Sequence, residues 1–331
     1  MKYSDQMADW LKDLGYDTFY FVGGGNIMHL TESLDRHLNA IPVIHEVAAV
    51  IAAEYHNHLA GSAKALALVT AGPGITNAIT GLAGAYLESR YVLVIGGQVK
   101  TDDLSRGDTR QNGIQEIDGV TICKPLTNYS VRLDKPIAKK EFHKYAVANK
   151  NIRKAPVFLE ISLDVQAAQC VSNIGEIVQE DEFQTMPFNE KQLAVMLDML
   201  CSSKRPVFLL GGGVDIESAH RVESYAVENS IPVATTWNGA DLISSDCPVY
   251  IGRPNTWGQR SSNILIQQAD LVICLGTRLG LQQTGFNWQA FVPVGKVICI
   301  ELDSSELTKG HPSIDLPILG DCNAYINRLT E

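Results

Sequence analysis

No apolar run in the 331-residue sequence approaches the length of a membrane span, so a helical membrane protein is not expected. The opening stretch MKYSDQMADWLKDLGYDTFYFVGGG carries acids where a secretory leader needs an apolar core. No C-x-x-C occurs. The seven cysteines are scattered, and Cys274 (LVICLG) and Cys299 (KVICIEL) lie in apolar strand-like runs. Buried thiols in a reducing cytoplasm are therefore expected, not disulfides or metal ligands. Positive charge is short: 27 Lys and Arg against 37 Asp and Glu give a formal net charge of −10, too acidic to neutralise nucleic-acid phosphates in bulk. The sequence also lacks G-K-[ST], H-E-x-x-H and G-x-S-x-G, which removes the P-loop, the zincin helix and the nucleophile elbow.

What remains is an ordinary globular composition, 45% apolar and 19% charged, long enough for two domains. Short apolar runs alternate with helical patterns. DTFYFV (17–22), IPVI (41–44), KALALVT (64–70), YVLVIGG (91–97) and APVFLEI (155–161) read as strands, with helices near 26–37, 45–61, 73–87 and 137–149. A second series follows with strands at 205–213, 231–236, 269–278 and 295–303, and a helix at 216–230. This alternation predicts an α/β protein with two doubly wound, mostly parallel sheets. Residues 155–190 contain no Lys or Arg, and 166–190 has weak periodicity. The expected organisation is a domain over 1–165, a linker over 166–190 and a domain over 191–331.

Three Gly-rich turns follow strands: VGGGNIM (22–28), AGPGITN (71–77) and LGGGVDI (210–216). Such turns aim backbone N–H groups at a helix start and can receive anions. All three lack the third Gly of a dinucleotide fingerprint, the positions being Met28, Asn77 and Ile216, so a nicotinamide enzyme is disfavoured. Taken singly, each turn is a tight strand–helix connection. His45, His56 and His58 do not share a helix face at metal-ligand spacing. SRGDTRQNGIQEIDG (105–119) is a polar loop that either forms part of a site or is plain surface. Glu46 opens PVIHEVAAVIAAEYHNHLAG, most of which reads as a buried helix. On local grounds it is a first-turn acid stabilised by the helix dipole, worth about 0.3–1 kcal/mol.

The ordered series FVGGGNIMHL, HEVAAVIAAEYHNHLAG, LALVTAGPGITNAITGLAGAYLES, VLVIGGQV, GIQEIDGVTICKPLTNYS and APVFLEISLDVQ resembles the pyrimidine-binding domain of thiamine-diphosphate enzymes, in particular the acetolactate synthase group. RPVFLLGGGV, IPVATTWNGADLISSDCPVYIGRPNTWGQRSSN, ADLVICLGTRLGLQQTG and VICIELDSSEL resemble that group's central, Rossmann-like domain. The resemblance implies a carboligase or 2-oxo-acid decarboxylase with pyruvate as donor and a second 2-oxo acid as acceptor. The wording GGGNIMHL and RQNGIQEID resembles acetolactate-synthase-like enzymes found with surface-polysaccharide genes, which implies a keto-sugar acceptor instead. Glu46 is implied to hydrogen-bond N1′ of the cofactor's aminopyrimidine, so that its 4′-amino group, as the imine, takes the C2 proton. Gln115 is implied to face the substrate. Gly24, Gly25 and Asn26 match the loop beside the thiazolium, and Gly72, Pro73 and Asn77 the turn against the pyrimidine. Gly258, Arg260, Asn263, Arg278, Asp303 and Asp321 fall where acetolactate synthases bind FAD.

The sequence departs from that group in four ways. Ile114 stands for an aromatic residue before the Gln–Glu pair, Ser162-Leu163-Asp164-Val165 for P-K-D-V, and Trp257 for the His of H-G-x-x-x-A-N; the first two bear on the acceptor and the third on FAD. The fourth is G-D-G, the diphosphate and Mg²⁺ motif of a C-terminal domain, which occurs nowhere in these residues. The expectation is half of a shared thiamine-diphosphate site, with Mg²⁺ ligands elsewhere, completed in a homo-oligomer by a C-terminal domain beyond these residues or by a partner chain. The alternative is a binding or regulatory homologue that keeps the fold and an oligomer interface.

Overall fold

Aliphatic residues crowd the runs between Gly-rich turns, and these runs become strands in the computed structural model. Ala65–Val69 and Leu271–Leu275 are buried along their whole length, as strands covered on both faces must be. Residues 1–107, 109–147, 153–170, 186 and 188–331 are described, in two units, Met1–Gln184 and Thr185–Glu331.

In the first unit the order is α1 (Tyr3–Asp13), β1 (Thr18–Phe21), α2 (Met28–Asp35), β2 (Asn39–Pro42), α3 (Glu46–Ala60), β3 (Ala65–Val69), α4 (Pro73–Leu87) and β4 (Leu93–Gln98). It continues with α5 (Gly119–Cys123), β5 (Tyr129–Leu133), α6 (Lys139–Ala146), β6 (Val157–Ser162) and α7 (Leu163–Ala167). The six strands pair in the order β2-β1-β3-β4-β6-β5, every pair parallel. In the second unit the order is α8 (Glu190–Ser202), β7 (Pro206–Leu210), α9 (Ile216–Asn229), β8 (Val233–Thr235), β9 (Tyr250–Gly252) and α10 (Arg260–Gln268). It ends with β10 (Leu271–Leu275), α11 (Leu281–Thr284), β11 (Lys296–Glu301), α12 (Ser304–Thr308), β12 (Leu316–Leu319) and α13 (Cys322–Leu329). Its sheet, β12-β11-β10-β7-β8-β9, is also all parallel. The α/β, doubly wound expectation holds in both units. The winding reverses between β1 and β3 in the first sheet, which also turns back from β5 to β6, and between β7 and β10 in the second. The crevice outside the carboxyl ends at such a switch point is where α/β sheets bind ligands.

Local differences from expectation have physical causes. The apolar run 41–44 is not all strand: β2 ends at Pro42, where its only neighbour β1 runs out in the register Phe21↔Pro42, and Ile44 is fully exposed. The helix after Glu46 is not buried all round. Ala49, Val50 and Ala53 face the core, whereas Ile51, Tyr55 and Leu59, one turn apart, are exposed. Helix α1 carries a buried stripe, Tyr3, Met7, Trp10 and Leu11, at helical spacing. The helix expected near 137–149 spans Lys139–Ala146, and 148–152 lie outside the described residues. Of the segment expected as a linker, 171–185 and 187 also lie outside them. Residues 166–168 belong with the first unit: the Tyr3 N–H donates to the Ala168 carbonyl at 2.8 Å, and Gln166 is fully buried. Among the described residues no helix is long and apolar enough to cross a membrane.

Candidate functional site

The carboxyl ends of β1 and β3 lie side by side at the first switch point, and their turns build one crevice. Gly24, after β1, packs against Thr70, after β3. A Cβ on Gly24 would stand 2.3 Å from Thr70 Cβ, so only glycine lets the turns approach. Gly72 adopts φ +65°, and a Cβ there would meet the Gln115 carbonyl at 2.5 Å. Pro73 then occupies the first turn of α4, where its missing N–H costs nothing.

Glu46 enters the crevice from the start of α3. His45 caps this helix through Nδ1, which accepts from the Val47 N–H at 3.2 Å. The Glu46 side chain therefore need not act as the cap. It is 7% exposed, and Asn77 Nδ2, from the second turn of α4, donates to its Oε2 at 2.9 Å. The absence of a Cβ on Gly74 leaves room beside Oε1, which lies 3.5 Å from where that atom would be. A buried carboxylate is costly unless hydrogen-bonded, and Asn77 meets that need on one oxygen. Thr70 sits under the same crevice, and its Oγ1 is buried without a hydrogen-bond partner. A buried hydroxyl without a protein partner beside a buried acid leaves bonding capacity for a water or a ligand group. Thr70 is the residue the motif reading missed. The signal was its position at the end of a fully apolar strand, directly before AGPG.

Gln115 closes the crevice from the 105–116 loop. It is exposed, with φ +61°. Asn26 ties that loop to the β1 turn, its Nδ2 donating to the Ile114 carbonyl at 3.3 Å, and its own carbonyl accepts from Gln166 Nε2 at 2.8 Å. Gly25 faces open space. Contacts thus link the β1 turn, the β3–α4 turn, Glu46 and the loop carrying Gln115 through Gly24–Thr70, Gly72–Gln115, Asn77–Glu46 and Asn26–Ile114, with Gly25 and Pro73 in the same two turns.

The loop is organised by Glu116, whose carboxylate accepts from the N–H groups of Ser105 (2.6 Å), Asn112 (2.8 Å) and Gly113 (3.0 Å). Burial alone would raise its pKa, but these N–H donors hold it at about 2, below the ordinary 4.5. A depressed folded-state pKa contributes stability above the ordinary value, lost as pH falls towards the folded one. Acidification from about pH 4.5 to pH 2 should therefore release the Asn112 and Gly113 amides to hydrogen exchange in the wild type but not further in Glu116→Gln; unchanged wild-type protection across that range would refute it. Behind the loop, Arg132 Nε donates to the buried Glu160 at 2.6 Å and its Nη2 to Asp118 at 3.4 Å, which anchors the start of α5. Burial pushes the Glu160 carboxyl up despite Arg132. Among the described residues there is no group of three or more His, Cys, Asp or Glu that could hold a metal.

In the second unit four of the six positions matched to FAD binding have local tasks. Asp303 and Asp321 cap α12 and α13 through the N–H groups of Ser305 and Asn323. Gly258 closes a turn in which a Cβ would meet the Arg253 carbonyl at 2.1 Å. Asn263 Nδ2 donates to the Asn255 carbonyl at 3.0 Å, and Arg260 and Arg278 are exposed. In the 211–215 turn the N–H groups of Gly211, Gly213 and Val214 donate to backbone carbonyls, and that of Asp215 to Asn323 Oδ1. This turn is a tight strand–helix connection in which four of the five N–H groups are engaged.

Comparison with known proteins accords with both units. The family model described as "Thiamine pyrophosphate enzyme, N-terminal TPP binding domain" matches residues 1–122, and "Thiamine pyrophosphate enzyme, central domain" matches 193–329. Among curated relatives, an "Acetolactate synthase" of Mycobacterium bovis is 30% identical over 96% of this chain and 51% of its own length. An "Acetolactate synthase large subunit" of Lactococcus lactis is 30% identical over 99% and 56%. The "Acetolactate synthase isozyme 2 large subunit" of Escherichia coli is 28% identical over 98% and 58%. The chain spans about half the length of the curated relatives it matches.

Proposed function

Given that the chain belongs to the thiamine pyrophosphate enzymes, whose N-terminal and central domains it carries, we propose that its first unit holds the pyrimidine end of thiamine diphosphate in a 2-oxo-acid carboligase or decarboxylase. When bound, the cofactor supplies the electron sink for breaking the bond beside a 2-oxo acid's carbonyl. The chain's own residues do the rest. Glu46 presents a carboxyl oxygen for a hydrogen bond to a ring nitrogen and holds the proton there. Asn77 fixes the orientation of that carboxyl group. The Thr70 hydroxyl and the Gly24 turn form the wall, and Gln115 stands at the open side, where a substrate would enter. The observation that carries this reading is the buried Glu46 carboxylate beside the unpartnered Thr70 Oγ1 at the switch point.

Pyruvate, a product of the acetolactate type and a keto-sugar acceptor in its place belong to the same proposal, drawn from the relatives' names and the departures at Ile114 and Leu163. The diphosphate and Mg²⁺ ligands are assigned to another polypeptide segment, because the G-D-G motif does not occur in these residues. Calorimetric titration of these 331 residues with thiamine diphosphate and Mg²⁺ tests that assignment. Binding weaker than about 0.1 mM, or roughly −5.5 kcal/mol, is expected, and micromolar binding would overturn it.

The exposed stripe Ile51, Tyr55 and Leu59 on α3 fits a helix-to-helix contact between copies of the chain. The expected result of Leu59→Asp is a shift towards monomer in sedimentation velocity, with the thermal midpoint unchanged. A wild-type chain that remains monomeric at high concentration contradicts this.

A further inference from the structure

The second unit contains a cavity of about 320 Å³ between the 254–256 loop, α10 and the 283–291 segment, which the proposed function does not use. Its lining has no charged side chain; the polar part consists of carboxamides and hydroxyls. Three of the carboxamides have a fixed orientation. Asn263 Nδ2 donates to the Asn255 carbonyl at 3.0 Å, Gln267 Nε2 to the Ala290 carbonyl at 3.4 Å, and Gln283 Nε2 to the Pro254 carbonyl. With one N–H of each engaged by backbone, each offers a carbonyl oxygen and one further N–H. Phe286 adds an exposed ring and Phe291 a buried one.

This chemistry selects a ligand class. An anion or cation would lose its hydration with no opposite charge to receive it. A wholly apolar ligand would leave carboxamide oxygens unpaired. Hydroxyl groups match, since each donates to a carboxamide oxygen and accepts from a carboxamide N–H. The volume lies at the small end of the ~300–1,000 Å³ range of ligand sites, suited to a single ring. We propose that this cavity is a binding site for a neutral, hydroxyl-rich ring, a monosaccharide or cyclic polyol, and that the second unit does not take a dinucleotide. Four of the five N–H groups of the 211–215 turn are engaged, which supports the second half of that statement independently.

Saturation-transfer NMR on the full chain tests it, with methyl α-glucopyranoside, methyl β-galactopyranoside, methyl β-xylopyranoside and myo-inositol as neutral probes. Glucose 6-phosphate and FAD serve as charged comparators. Asn287→Trp fills the mouth from an exposed lining position, and Phe286→Ala removes the exposed ring. At least one neutral probe should show transfer, reduced tenfold or more in Asn287→Trp and reduced in Phe286→Ala. Neither comparator should displace it. No transfer to any neutral probe, transfer unaltered in both variants, or displacement by FAD would each overturn the proposal. A retained thermal midpoint in the variants separates loss of the site from loss of the fold.

Discussion

Glu46→Gln should lower CO₂ release from pyruvate by about 10²–10⁴-fold, the range for removing a positioned acid or base. The assay uses the chain mixed with a thiamine-diphosphate enzyme segment carrying G-D-G, with Mg²⁺ and the cofactor present. The substitution changes little else. Gln keeps the volume, and its Oε1 can still accept from Asn77 Nδ2, which now donates to Glu46 at 2.9 Å. His45, not Glu46, provides the side-chain cap of α3, so the helix start is retained. A loss of activity at an unchanged thermal midpoint assigns the effect to proton placement. Full activity in Glu46→Gln would remove Glu46 from the chemistry and return it to the role of a first-turn acid.

Gly24→Ala should destabilise the first unit through a single methyl. The new Cβ would lie 2.3 Å from Thr70 Cβ, inside a contact between two backbone turns. Overpacking of this kind costs about 1–3 kcal/mol, equivalent to roughly 2–4 °C of thermal midpoint per kcal/mol in a unit of this size. Thr70→Ala should not rescue it, because the clashing Cβ remains, whereas Thr70→Gly should. Gly25→Ala provides the contrast: nothing lies within 4 Å of that Cβ, so stability should change by less than about 0.5 kcal/mol. Thermal unfolding of the four variants decides the matter, and equal midpoints for Gly24→Ala and Gly25→Ala would show that the two turns do not touch as described.

The architecture was legible because parallel strands buried on both faces appear as unbroken aliphatic runs between Gly-rich turns. β3 and β10 were found within a residue or so of each run's core for that reason. The edges were less legible. β2 pairs with one neighbour only, so its extent depends on where β1 ends and not on its own apolar residues. This is why Ile44, apolar and fully exposed, misled the local reading. The short strands β9 and β12 carry too few residues to show a period. In the site, Glu46 and Asn77 could be named from motif order, but their mutual hydrogen bond is 31 positions apart in sequence and exists only through the packing of α3 on α4. Thr70 had no motif role at all. Only its place directly before AGPG pointed to it, and its burial and missing protein partner arise from the packing of the β3 end against the β1 turn. Asp303 and Asp321 illustrate the converse: both match positions in a resemblance, and both serve their own helix starts.

The central claim is a hydrogen bond between Glu46 and the ring nitrogen of the cofactor's pyrimidine. A thermodynamic cycle tests it most directly. Affinities of wild type and Glu46→Gln, in the completed assembly, are measured for thiamine diphosphate and for the analogue in which that ring nitrogen is replaced by C–H. The account predicts a coupling of about 1.5–3 kcal/mol between side chain and ring atom, the range for hydrogen bonds to charged groups. A coupling indistinguishable from zero would contradict it.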